Sequence, residues 1–161
     1  MATLLTQIEA CLNSRPLQAL SDDSEDFDAL TPGHFLVGSA INAVPAPSLS
    51  EETTTRLSRW QLLQQMKDHF WHRWAREYLH TLASRSKWFK GDEEVRIGRL
   101  CLLRNETTPP TKWPLARVTK LHPGTDGNVR VVDIRTATSS FTRPVNKLVL
   151  LPVSAAPDHP V

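Results

Sequence analysis

Ten basic side chains carry the clearest chemical signal in this sequence: Lys87, Lys90, Arg96, Arg99, Lys112, Arg117, Lys120, Arg130, Arg135 and Arg143. Spread through one stretch, they supply phosphate-directed charge of the kind that neutralises a polyanionic backbone. Trp88, Phe89 and Trp113 sit beside lysines, the basic–aromatic interleaving expected for nucleic-acid contact. For Trp113, which opens a strand before Pro114, core packing is favoured over base stacking, because buried aromatics dominate small cores. Arg117 and Lys120 are the strongest candidates, since charges within a strand usually point outward. The other candidates are weaker. Ser21–Asp28 (SDDSEDFD) holds five carboxylates, but it lacks the spacing and glycine of an EF-hand, so a solvated loop is favoured over a cation site. His69 and His72 form an HxxH pair with His80 further on, yet no HExxH, thiolate pair or suitably spaced third ligand accompanies them. No catalytic residue and no metal ligand emerges.

The basic residues are unevenly placed. Between Arg85 and Leu150 there are 13 Lys or Arg against 6 Asp or Glu, a net of +7; from Met1 to Thr55 the only base is Arg15, against 8 acids, a net of −7. The total of +2 hides this division. A basic half suggests a polyanion partner, although charge alone is equally compatible with a solvated surface. At 161 residues the chain fits one domain, or a small domain with a large appendage. Cys11 and Cys101 lie far apart with no CxxC spacing, which favours a reduced, intracellular setting. No apolar run is long enough to span a membrane, and no basic n-region with a cleavage site opens the chain.

The elements that must position the basic set are short strands. Val95–Leu103, Trp113–Leu121, Val129–Thr136, Ser140–Arg143 and Leu148–Leu151 are β-branched or leucine-rich, and turn residues separate them. Pro144 suits a single 3₁₀ turn before the last strand. Four strands, a 3₁₀ turn and a short fifth strand is the layout of an SH3-like barrel over residues 86–152. Adjacent pairs such as Val131-Val132 and Leu102-Leu103 break strict alternation and leave the core face open.

Helices are expected upstream, which makes the fold class α+β. Thr3–Ser14 carries an apolar stripe of Leu4, Leu5, Ile8, Cys11 and Leu12, with Thr3 as N-cap and Arg15-Pro16 as the stop. Thr31-Pro32 reads as the N-cap and first residue of a short helix that Gly38 ends. Residues 39–50 read as a linker and 153–161 as a disordered tail. A capping box at Ser48–Glu51 opens a helix running to about Ser84. Trp60, Leu63, Met66, Phe70, Trp74, Tyr78 and Leu82 share one of its faces, and the opposite face carries His69, His72, Arg73, Arg76 and His80. So large an apolar face demands a partner surface.

Four blocks in order, LLTQIEACLNSRPL, LTPGHFLVG, RWQLLQQMKDHFWHRWAREYLHTLASRSKWF and GRLCLLRNETTPPTKWPLARVTKLHPGTDGNVRVVDIRT, resemble the end of the integrase region of a Bel/Pao-type long-terminal-repeat retrotransposon pol polyprotein. The resemblance covers about Leu4 to Pro152. It implies a remnant of the RNase H-like core over 1–38, a connector helix over 51–85 and an SH3-like C-terminal domain. The complete family enzyme is expected to use Mg²⁺ or Mn²⁺ held by a D, D, E set of carboxylates. The first block resembles a core helix that follows the catalytic Glu, so the resemblance puts all three ligands before Met1. Glu9, on the polar side of that helix, is expected to be solvated, and this chain is expected to hold no cofactor and to be no enzyme by itself. DNA is then the implied partner, in the nucleus, with Trp60, Phe70, Trp74 and Tyr78 serving self-association or packing on the integrase core. The alternative is a protein-interaction module, such as a histone-tail reader or host-adopted adaptor, with an aromatic cage drawn from Trp88, Phe89, Trp113 and Phe141.

Overall fold

The computed structural model describes residues 2–41, 48–49, 52–53, 58–82, 95–104 and 108–152. It divides into two compact units. One comprises Met1–Arg15, Thr31–Ser84 and Arg104–Pro114; the other comprises Pro16–Leu30, Arg85–Leu103 and Leu115–Val161. The class is mixed α+β, with helices in the first unit and a five-stranded antiparallel sheet in the second.

In the helical unit, α1 spans Ala2–Asn13, so Thr3 lies inside the helix and does not cap it. Leu4 and Cys11 are the buried members of its stripe, whereas Leu5 is exposed. Its last carbonyls are satisfied locally: Ser14 Oγ donates to Cys11 O (2.8 Å) and Arg15 Nη1 to Leu12 O (2.9 Å). Helix α2, Pro32–Val37, follows the expected punctuation. The Thr31 N–H donates to His34 Nδ1 at 3.0 Å. Gly38 takes φ +76°, where a glycine avoids the Cβ clash, and its N–H closes the helix on His34 O.

Helix α3 spans Arg59–Leu82. Its N-terminal box is Ser58 and Gln61, not Ser48–Glu51: the Ser58 N–H donates to Gln61 Oε1 (2.8 Å) and the Gln61 N–H to Ser58 Oγ (3.4 Å). Ser50 and Glu51 lie outside the described residues. The buried residues are Gln64, Gln65, Lys67, Asp68 and Trp71, a mostly polar set, while Trp60 is 56% exposed and Met66 is also exposed. Of the apolar face that hydrophobic spacing marks out, Leu63, Phe70, Trp74, Tyr78 and Leu82 are half-buried, Trp60 and Met66 are exposed, and the fully buried side lies next to it. Hydrogen bonds make the polar burial tolerable. Gln65 Nε2 donates to Leu49 O (3.0 Å) and Glu52 O (2.6 Å), Lys67 Nζ donates to Gln64 Oε1 (2.6 Å), and Asp68 Oδ2 accepts the Leu49 N–H (3.3 Å). Helix α1 packs against α3.

The sheet unit opens with a hairpin, β1 (Gln18–Ala19) paired antiparallel with β2 (Ala29–Leu30). The sheet itself is β3 (Leu100–Leu103), β4 (Leu115–Pro123), β5 (Val129–Arg135), β6 (Ser140–Pro144) and β7 (Leu148–Leu150), with a 3₁₀ turn at Val145–Lys147. Its order is β6-β5-β4-β3-β7. Among the described residues no ladder joins β6 to β7, so the hydrogen-bonded sheet is open. Cys101, Ala116, Val118, Val132, Ile134 and Leu148 form the core on one face. The adjacent apolar pairs then have an explanation. On β5 the face alternates, Val132 inward and Val131 outward, whereas on β3 Leu100, Cys101 and Leu102 are all buried, so both faces of that strand are covered. A register shift between Val118 and Lys120 marks a bulge in β4. No helix among the described residues is long and apolar enough to cross a membrane.

Candidate nucleic-acid interface

The face of the sheet opposite its core carries Arg117, Lys120 and Arg135. Register places Arg117 on β4 beside Arg135 on β5, and Lys120 beside Asp133. Arg117 does point away from the core, as alternation requires, yet it is only 3% exposed. The hairpin is the reason. Arg117 Nη2 donates to Ser21 O (2.6 Å), Nε to Asp26 O (2.5 Å) and Nη1 to Gly98 O (2.7 Å), so the guanidinium holds the loop between β1 and β2 down on the sheet. The expectation that Arg117 stands ready for a phosphate is corrected here: it is buried, and each of its three nitrogens donates to a backbone carbonyl. Hydrogen bonds from all three nitrogens in fixed geometry are what make the burial of this permanently charged side chain tolerable.

Arg135 is held by the same loop in another way. Its Nη1 donates to Glu25 Oε1 (2.7 Å) and its Nη2 to Glu25 Oε2, a two-point clasp. The ring of Phe27 lies 5.8 Å from its Cζ. The hydrogen bonds from Arg135 hold the Glu25 carboxyl below its ordinary range and push the guanidinium correspondingly up. Arg130 is likewise engaged. It donates to both carboxylate oxygens of Asp126 (3.1 and 2.5 Å) across the turn that Gly127 makes at φ +78°. Those bonds, together with two from Asn128, hold the Asp126 carboxyl far below its usual range. On the same outward face Thr142 Oγ1 donates to Asp133 Oδ1 (2.6 Å), and His122 Nε2 lies 3.0 Å from Asp133 Oδ2. Both contacts lower the Asp133 pKa, the Thr142 hydrogen bond most.

The remaining candidates divide. Arg96, Lys120 and Arg143 are exposed, the last with its guanidinium 5.1 Å above the Phe141 ring. Arg143 pairs in register with Val132, so it projects at the rim of the core-side face and not beside Lys120. Arg99 is half-buried, with Nε and Nη2 both donating to Leu151 O at 3.3 Å. Lys112 is exposed and belongs to the helical unit. Lys87 and Lys90, with Trp88 and Phe89, lie outside the described residues. Lys147, exposed in the 3₁₀ turn, joins the set, as do Glu25 and Phe27 as partners of Arg135. The charge reversal between the two ends of the chain was the signal for that pairing.

Trp113 packs, but not in the sheet core. Its ring meets Trp71, Trp74 and Tyr78 edge-on at 4.9, 5.8 and 5.6 Å, and its Nε1 donates to Ser14 Oγ (3.3 Å). Trp71 is fully buried and donates to Thr108 O (3.0 Å), while Phe70, Trp74 and Tyr78 stack along α3. Of the four rings offered for a methyl-lysine cage, Trp113 is therefore taken up by other aromatics and Phe141 packs against the sheet core. Among the described residues, no group of three or more His, Cys, Asp or Glu side chains is placed to hold a metal ion. The five carboxylates of the hairpin loop are used in part as local caps: the Glu25 N–H donates to Asp23 Oδ1 (3.0 Å) and the Asp28 N–H to Asp26 Oδ1 (2.8 Å).

No curated protein and no solved structure matches this chain. A family profile does, over residues 58–151. That span starts at the Ser58 cap of α3 and ends just past β7, taking in the helix and the whole five-stranded sheet and omitting the hairpin. The chain belongs to DUF5641, a family of unknown function.

Proposed function

We propose that this chain is a DNA-binding C-terminal segment of a Bel/Pao-type retroelement integrase, supplying nucleic-acid contact and assembly to DNA integration in the nucleus. The observation that supports it best is the small sheet β6-β5-β4-β3-β7 with a 3₁₀ turn before its last strand, with Lys120, Arg143 and Lys147 exposed on separate elements and Arg96 exposed in the segment before β3. Four strands, a 3₁₀ turn and a short fifth strand is the layout expected of an SH3-like domain, and it accompanies the ordered sequence blocks that resemble the integrase terminus. Cations dispersed over a sheet offer phosphate contacts and few base-edge readers, so binding has little sequence preference. The exposed Trp60 and Met66 of α3 and Phe35 of α2 meet the rest of the integrase or a second copy. No metal-dependent strand-transfer step is assigned to this chain; in this reading Mg²⁺ or Mn²⁺ belongs to the complete enzyme.

Fluorescence anisotropy with duplex DNA over a salt series tests this. Neutralising about four phosphates gives a slope of log K against log salt near −3.6, or roughly a hundredfold loss of affinity between about 50 and 200 mM salt. Replacing Lys120 and Arg143 with Ala should weaken binding to all sequences alike and flatten the slope by up to about two units. A folded protein with no DNA affinity at about 50 mM salt, or with affinity indifferent to salt, would overturn the proposal in favour of a protein-interaction module.

A further inference from the structure

Arg135 is held by a carboxylate and an aromatic ring, both supplied by the acidic hairpin loop. A guanidinium fork recognises a carboxylate and a phosphate with the same two parallel N–H donors. The loop that carries Glu25 is anchored independently of that clasp. Arg117 grips the carbonyls of Ser21 and Asp26 on either side, Asp23 Oδ1 caps the Glu25 N–H, and β1 pairs with β2 below. The Glu25 side chain is 63% exposed and that of Arg135 41%. It can therefore rotate away while its backbone stays in place.

We propose that Glu25 is an intramolecular stand-in for a nucleic-acid phosphate on Arg135, displaced when the sheet engages DNA. This rests on the DNA-binding reading above and adds a competitor to it. The hairpin then sets a threshold. A single anion competes with a carboxylate held at high effective concentration, whereas a polyanion that also contacts Lys120 displaces it. The near cancellation of charge in the sheet unit fits this role: its described residues carry eight Lys or Arg and seven Asp or Glu, five of those acids in the hairpin loop.

The test measures duplex DNA binding by the full chain and by Glu25→Gln, Asp22→Asn, Arg135→Ala and the Glu25→Gln/Arg135→Ala double variant, with thermal melts as the folding control. Asp22→Asn makes the same change of charge on the same loop. Glu25→Gln should tighten binding about two- to fivefold, the scale of an exposed ion pair, and steepen the salt slope by up to about 0.9, because only the wild type must open a salt-screened ion pair to free Arg135. Asp22→Asn should do less and leave the slope unchanged, and Glu25→Gln should have no effect in the Arg135→Ala background. Equal effects of the Glu25 and Asp22 changes, or a Glu25 effect that survives loss of Arg135, overturn the competitor while the DNA-binding reading stands. DNA binding by none of the proteins, wild type included, removes both.

Discussion

Arg117 and Lys120 stand three residues apart on one strand, with the same charge and the same outward direction, and have opposite fates. The hairpin covers the first and leaves the second in solvent. Nothing in the local sequence separates them, because the covering loop lies some ninety residues earlier in the chain. Alternation along a strand reports direction and not coverage. The two cysteines were easier to place, since apolar neighbours surround both. Burial pushes the Cys11 thiol up to about 11 and the Cys101 thiol up to about 12, and Cys101 Sγ spends its proton on Ala116 O at 3.2 Å. The thiolate is the reactive form, so neither should react with a thiol reagent near pH 8 until the protein unfolds. The linkage has a definite sign. Unfolded cysteine ionises near its ordinary value of 9.0, below the folded values, so this contribution is complete below pH 9 and is lost as pH rises through 11 to 12. Reaction rates measured with and without denaturant check this; fast native modification of Cys101 would contradict the burial.

Among the elements, strands were legible and the long helix was legible only in part. Proline or glycine punctuates each link between strands of the sheet except Thr136–Ser139, where Thr and Ser side chains close the turn, and the 3₁₀ turn after Pro144 follows from the ring's fixed φ. In α3 the hydrophobic spacing pointed to Trp60 and Met66, which are exposed, and away from Gln64, Lys67 and Asp68, which are buried. Periodicity weighs side chains by polarity, whereas this helix buries polar groups that bond each other and the backbone of Leu49 and Glu52. Trp71 sits at the centre of that buried side, against Trp113 and hydrogen-bonded to Thr108. Trp71→Ala should therefore cost about 3–5 kcal/mol, the range for a buried aromatic truncated to a cavity. The near-UV circular dichroism of the stacked rings should fall with it. Trp60→Ala, on the exposed side, should change stability by no more than about 0.5 kcal/mol. Chemical denaturation of both variants decides; comparable losses would mean that Trp60 is packed.

At the scale of the whole molecule, each compact unit is assembled from three separate stretches of chain. The sequence divides into an acidic beginning and a basic end, and the basic end suggested a polyanion partner. The fold instead brings the acidic loop onto the basic sheet, through Arg117 and Arg135. Composition could show the two charges but not that they meet, because the contact joins residues about a hundred positions apart. This arrangement makes a prediction about the family-matched segment 58–151, which contains α3 and the sheet but neither α1 nor the hairpin. In the full chain, hydrogen bonds from a charged donor such as Arg117 contribute about 1.5–3 kcal/mol each. Two of its three acceptors, Ser21 O and Asp26 O, are absent from the segment. Without the hairpin, water reaches Arg117 and takes the place of the two carbonyls, and the contacts that hold the loop on the sheet are lost. Since about 1 kcal/mol moves the midpoint of a unit this small by about 4–8 °C, the segment should melt about 10 °C or more below the full chain. Arg117→Ala supplies the control. It should destabilise the full chain strongly, where it strips the loop of its anchor, and the 58–151 segment hardly at all. Equal melting of the two proteins, or an equal effect of Arg117→Ala in both, would show that the hairpin rests on the sheet without holding it together.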